Sequence, residues 1–265
     1  MVKKLFKHEI LAFWRGWSLI QIALLATALF GRFIQLFENN TAVYDIVFGS
    51  TTFAYSILIM VAFVGTLFSG VTRFYKNLFT SEGYLTHTLP VTATQHIMVK
   101  LVTAVLFQIA TLFVVLASAC IITAGDVLVE VVKAIGYLIG EIYEYTGAHM
   151  VLYIVEIIVV TIVSLFSSFL VYYTCICLGQ LSKKNRVLVS VGIYFGMSMV
   201  GQVVSTVLMT FTTFPVFEDI VMYFTDHPIT AIHISLCLGI VITLILSIVF
   251  FIICRMVMKK KLNLE

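Results

Sequence analysis

The groups able to do chemistry in this sequence are the ionisable side chains inside long apolar runs. A charge in hydrocarbon is costly and persists only where a partner or a pathway compensates it. Three such residues stand out: Arg32, Glu156 and Arg255. Arg255 lies near the end of its run and can snorkel to the boundary. Arg32 sits about 22 Å along its run at ~1.5 Å per residue, and Glu156 roughly 9 Å inside the far edge of its own. In a core about 30 Å thick the two reach similar depth. The spacing predicts an ion pair between Arg32 and Glu156. The alternatives are that each reaches the headgroups or lines a wet cavity.

Neutral polar groups come next. Ser190, Tyr194, Ser198, Gln202 and Thr206 recur at steps of four. Each step turns about 40° past a full helical turn, so only Tyr194, Ser198 and Gln202 share a face. Tyr55 and Ser56 are similar candidates in an earlier run. Such sets either line a pathway or pack helices, and Gly192 and Gly196 favour close helix approach. Histidines 8, 87, 96, 149, 227 and 233 fall near run ends and read as interfacial hydrogen-bonding groups. Cys120, Cys175, Cys177, Cys237 and Cys254 lie inside runs and read as small buried hydrophobes, with no disulfide or metal pair implied. No G-x-x-x-x-G-K-[ST] or G-x-S-x-G occurs, and Ala12 spoils a His8-Glu9 zinc-protease string. The reading is therefore not an enzyme, with no cofactor in this chain.

The elements that must position these groups are membrane helices. Of 265 residues, 61% are hydrophobic and only 11% charged. That excludes an ordinary water-soluble domain. The net charge of +3 is too small for a nucleic-acid footprint. Continuous apolar runs of about 20 residues read as transmembrane helices rather than barrel strands. Six are expected, over Trp17–Phe37, Thr51–Phe74, Ile97–Ala124, Met150–Leu181, Val187–Phe214 and Ile234–Met258. The expectation is an all-α polytopic protein forming one transmembrane domain over 1–265, with no cleaved signal peptide.

The few charges are sorted. Fourteen of the sixteen Lys and Arg residues fall on one side, leaving Arg32 and Lys133, while most acids fall on the other. The positive-inside rule places both termini in the cytoplasm. Residues 1–16 carry Val2, Phe6, Ile10, Phe13 and Trp17 at helical spacing with Lys3, Lys4, Lys7 and Arg15 mostly off that stripe. This predicts a separate interfacial helix facing anionic lipids. Residues 75–96 form the longest connection on the basic side. Pro90 breaks helix there, and Thr92 with Gln95 has capping-box spacing for the next one. On the acidic side, Gly125 to His149 is amphipathic and predicts a surface helix or an extension of its neighbours. Residues 215–233 predict a short dipping helix, and Asn39-Asn40-Thr41 is a weak glycosylation sequon.

The stretch RFYKNL (Arg73 to Leu78), EGYL (Glu82 to Leu85), TLP (Thr88 to Pro90) and Lys100 resembles permease subunits of type-2 ATP-binding cassette exporters, especially those of Gram-positive anaerobes. The resemblance implies the type-2 fold: an N-terminal elbow helix and six spans. It also implies a coupling helix docked on a separate ATPase subunit, with Tyr75, Lys76, Glu82, Tyr84, Leu85 and His87 as contacts. ATP and Mg would sit on that partner. A second permease copy or paralogue would complete a dimer in the bacterial cytoplasmic membrane. The second and fifth spans would lie near the pathway, and a re-entrant lid would follow the fifth. The acidic segment between the third and fourth spans is longer than that family's pattern. The expected cargo is a peptide, lipid or hydrophobic drug-like molecule. The alternatives are a non-transporting sensor or peptide-immunity protein, and an intramembrane enzyme.

Overall fold

A computed structural model describes residues 2–37, 42–80, 91–182, 184–211 and 218–260. Among these the chain is helical throughout, in α1 (Val2–Gln35), α2 (Ala42–Phe79), α3 (Ala93–Ile122), α4 (Asp126–Thr146), α5 (His149–Gly179), α6 (Arg186–Phe211), α7 (Glu218–Asp226) and α8 (Pro228–Lys260). Six of them are long and apolar enough to cross a membrane: α1, α2, α3, α5, α6 and α8. Large apolar side chains such as Leu19, Ile22, Phe53, Met60, Phe113 and Leu188 stand exposed along them. A surface of that kind belongs against lipid rather than water. The chain is a multi-pass membrane protein.

Contacts divide the chain into two compact units, one of Met1–Lys76 with His87–Glu141, the other of Asn77–Thr86 with Ile142–Glu265. In the first, α1 and α3 run parallel. Glu9 meets Lys100, Phe13 stacks on Phe107 and Trp17 bonds Thr111, in matching order along both helices. Helix α2 runs antiparallel to them, with Arg73 at Glu9, Thr66 at Thr111 and Tyr55 at Ser118. The apolar core between the three helices is built on Leu24, Ala28, Tyr55 and Ala62.

Helix α1 corrects one expectation. No break separates residues 2–16 from the first span; a single helix of 34 residues runs through both. The reason is its buried stripe. Glu9, Phe13, Trp17, Gln21, Leu24, Ala28, Gly31 and Ile34 follow at steps of three or four along the whole helix. From Glu9 onward the N-terminal part therefore packs on neighbouring helices by the same face as the span. At ~1.5 Å per residue the helix is about 50 Å long, well over a core of about 30 Å.

In the second unit α5 and α8 are also parallel. Tyr153 donates to the Ile229 carbonyl, Thr174 to the Phe250 carbonyl, and the Cys177 and Cys254 thiols meet at 3.0 Å. Helix α6 packs on α5, and the short α7 on α8. Pro228 opens α8 where its missing N–H costs no helical bond. The short helix expected before the last span is present as α7.

Local signals set several ends. The Thr92 hydroxyl accepts from the Gln95 N–H, and the Gln95 side chain accepts from the Thr92 N–H, the capping box that starts α3. The amphipathic segment forms a helix of its own, α4, exposed along most of its length. Gly125 (φ +106°) and Gly147 (φ +56°) bound it. Backbone in that region admits glycine and strains other residues. A Cβ on Gly125 would also stand 3.1 Å from Nη2 of Arg32. Gly125→Ala is expected to cost about 1–3 kcal/mol. Gly136→Ala, in open space inside α4, is expected to gain up to about 1 kcal/mol. Opposite shifts of the melting temperature in detergent, followed by tryptophan fluorescence, check this pair.

Candidate functional site

The most buried charges lie where the sequence pattern did not point. Glu9 is on the packed stripe of α1 and only 7% exposed. Its Oε1 accepts from Nε of Arg73 at 3.0 Å, and its Oε2 from Nζ of Lys100 at 3.1 Å. Lys100 is 5% exposed, on the second turn of α3. Arg73 is near the end of α2, with its guanidinium over the Phe13 ring. One carboxylate thus joins three helices, and each of its oxygens takes a charge-assisted hydrogen bond. His96, one turn before Lys100, is buried as well.

This ion cluster has a particular place in the chain. Arg73 and Lys100 are the last and first of its members on either side of residues 81–90, the heart of the long basic connection. Both stems of that connection are therefore fastened to α1. Of the six expected coupling residues, Tyr75 is half-buried and Lys76 exposed, both on the last turns of α2. Glu82, Tyr84, Leu85 and His87 lie outside the described residues, as does the Asn39-Asn40-Thr41 sequon.

A neutral polar network continues inward from the cluster. The Thr111 hydroxyl accepts from Nε1 of Trp17 at 2.8 Å, meets the Thr66 hydroxyl at 2.9 Å and receives Nε2 of Gln21 at 3.4 Å. Tyr55, expected to line a pathway, is buried instead and shares a hydrogen bond of 2.9 Å with Ser118. Its role in the first unit is helix packing. Ser56 is exposed and bonds its own helix at the Thr52 carbonyl. On α6, Tyr194 stacks on Tyr172 with centroids 5.2 Å apart, while Ser198 and Gln202 are exposed.

The two charges expected to pair are each satisfied inside their own unit. Nη1 of Arg32 donates to Gln35 at 2.9 Å, and its Nη2 lies beside Gly125, just past the carbonyl end of α3. A cation is favoured there by the helix dipole. Glu156 holds Nδ1 of His233, with both carboxylate oxygens at 2.9 Å. Nε2 of His233 meets Nδ1 of His149 at 3.3 Å, and Tyr153 stacks on the His233 ring at 4.2 Å. The histidines that read as scattered interfacial groups thus include two linked in a row: His233 on the part-buried Glu156, and His149 on His233. His149, Tyr153 and Glu156 have the i, i+4, i+7 spacing of one helix face. That signal was available, but its partner on α8 was not.

Compared with known proteins, the chain matches no family model, no curated protein and no solved structure. Its chemistry is read from these contacts. Both oxygens of Glu9 are engaged, one by Arg73 and the other by Lys100. Glu9→Gln would leave the Lys100 ammonium buried without a counter-charge. A loss of about 3–5 kcal/mol is expected from breaking such a pair on one side. Glu9→Gln combined with Lys100→Met removes both charges and should cost less than Glu9→Gln alone. Unfolding in detergent of the two variants and the parent checks the order.

Proposed function

We propose that the chain is the transmembrane permease subunit of an ATP-driven exporter of the type-2 ATP-binding cassette kind. Its basic ends face the cytoplasm, and ATP and Mg are held by a separate ATPase subunit. The cargo class is a peptide, lipid or hydrophobic drug-like molecule. The observation that carries this reading is the fastening of Arg73 and Lys100 to Glu9. A connection that only reverses the chain needs no such anchorage. One that receives a push from a soluble partner must pass it to the helices, and here one buried carboxylate ties both stems to the first span.

Two further features support the reading. Six helices are long and apolar enough to cross a membrane, the number this layout requires; an even number of crossings would bring both termini to one side. Ser198 and Gln202 stand exposed on a helix of membrane-crossing length, where bare polar groups are unfavourable. A second permease copy would cover them and place the fifth span beside a central pathway. A sensor, one of the alternative classes, needs no anchored loop of this kind.

The chain is expected to co-purify with a stand-alone ATPase of the cassette type. Changing Tyr84 and Leu85 together to Asp should abolish the association while the permease remains folded. Glu9→Gln should keep the association but lower cargo-stimulated ATP hydrolysis at least tenfold. Pull-down and phosphate-release assays in nanodiscs measure both. A folded wild-type chain that associates with no cassette ATPase would overturn the proposal.

A further inference from the structure

We propose that His149 and His233 form a binding site for a first-row divalent metal ion of the zinc class, with Glu156 orienting the second imidazole. The inference is independent of the export reading. An ionised carboxylate only accepts, so the Nδ1 of His233 that lies 2.9 Å from both Glu156 oxygens carries its proton. Nε2 of a neutral His233 is then a bare lone pair. It faces not a carbonyl or hydroxyl but a second imidazole nitrogen, Nδ1 of His149.

The separation of those two nitrogens is 3.3 Å. That separation lies at the long end for a hydrogen bond between two rings. It matches the edge of a tetrahedron: two nitrogens each 2.0–2.1 Å from a zinc ion stand about 3.3–3.4 Å apart. The rings are tilted by 49° rather than coplanar. Histidine bound to metal characteristically donates its other N–H to a carboxylate, which sets the ring and raises the basicity of the ligating nitrogen. Glu156 stands in that relation to His233.

The surroundings hold the pair in place. Tyr153 lies flat on the His233 ring, 4.2 Å away at 13°, and its hydroxyl is pinned to the Ile229 carbonyl one turn before His233. His149 is in the first turn of α5 and His233 near the start of α8. The Glu156 carboxylate beside His233 adds a negative charge that favours a bound cation. Cys237 is near Glu156 Oε1, at 4.0 Å. Among the described residues no group of three or more His, Cys, Asp or Glu side chains is set to hold a metal. Two imidazoles are thus the protein ligands, and water completes the shell at this exposed end of the helices. A site so built exchanges its ion readily, and imidazole donors select zinc, copper or nickel over magnesium or calcium. No proton is released from either ring: His149 shifts its hydrogen to Nε2 and offers Nδ1.

The test uses the full chain in detergent, stripped by chelator and carrying a tag without histidine. Titration with Co2+ should give the visible bands of a tetrahedral or five-coordinate nitrogen site at one ion per chain, displaced by Zn2+ but not by Mg2+. His149→Gln and His233→Gln should each abolish the bands, and His227→Gln should leave them. Glu156→Gln, which keeps an acceptor for His233, should weaken affinity by about 10–100-fold. On the unaltered chain, Zn2+ should protect His149 and His233 together from carbethoxylation, read by mass spectrometry; this arm needs no variant to fold. Absent bands, bands that survive in either folded histidine variant, or unprotected His149 and His233 would overturn the site.

Discussion

A medium that offers no hydrogen bonds governs this molecule. In hydrocarbon every polar side chain must find its partner on another part of the protein or be drawn to the boundary. The chain has few polar groups in its spans, and their pairings decide how the helices register. Glu9 sets α1 against the end of α2 and the start of α3. Thr111 gathers Trp17, Gln21 and Thr66 two turns or more further along. Tyr55 and Ser118 close the far part of the same unit. Apolar packing fills the gaps between these points, but it would tolerate sliding that the polar contacts do not.

The second unit obeys the same rule with different chemistry. Its parallel pair, α5 and α8, is registered by Tyr153 on the Ile229 carbonyl, Thr174 on the Phe250 carbonyl and Glu156 on His233. Charge is used sparingly in both units, yet the two ionic centres differ in kind. Around Glu9 every charge is answered by another, so the cluster resists motion. Around Glu156 the chain of contacts runs through His233 to His149 at the exposed start of α5.

The sequence was a good guide to length and composition. Six apolar runs became six membrane-length helices, the Thr92–Gln95 capping box formed as its spacing required, and the amphipathic segment became α4 between two positive-φ glycines. It was a poorer guide to partners. Glu9 is surrounded in sequence by Lys3, Lys4, Lys7 and Arg15, and in that company an acid reads as a solvated surface group. Its stripe mates, Phe13 and Trp17, are evident from their spacing, but one polar residue on an apolar stripe carries no mark of what it will meet. Arg32 and Glu156 were matched by depth, which is a single coordinate. Direction around the helix axis separates residues of equal depth, and here it turns Arg32 to Gln35 and Glu156 to His233.

What the sequence alone determined was the solvent, the helix count and the sorting of charge, because each follows from hydrophobic content added up along a line. What only the tertiary structure decided was which of the rare polar groups touch. Those contacts join residues 64 to 91 positions apart around Glu9, and 77 to 84 apart around His233. No local periodicity reports on them: helices of similar apolar surface can pack in several registers, and the pairing of the rare buried polar groups narrows the choice.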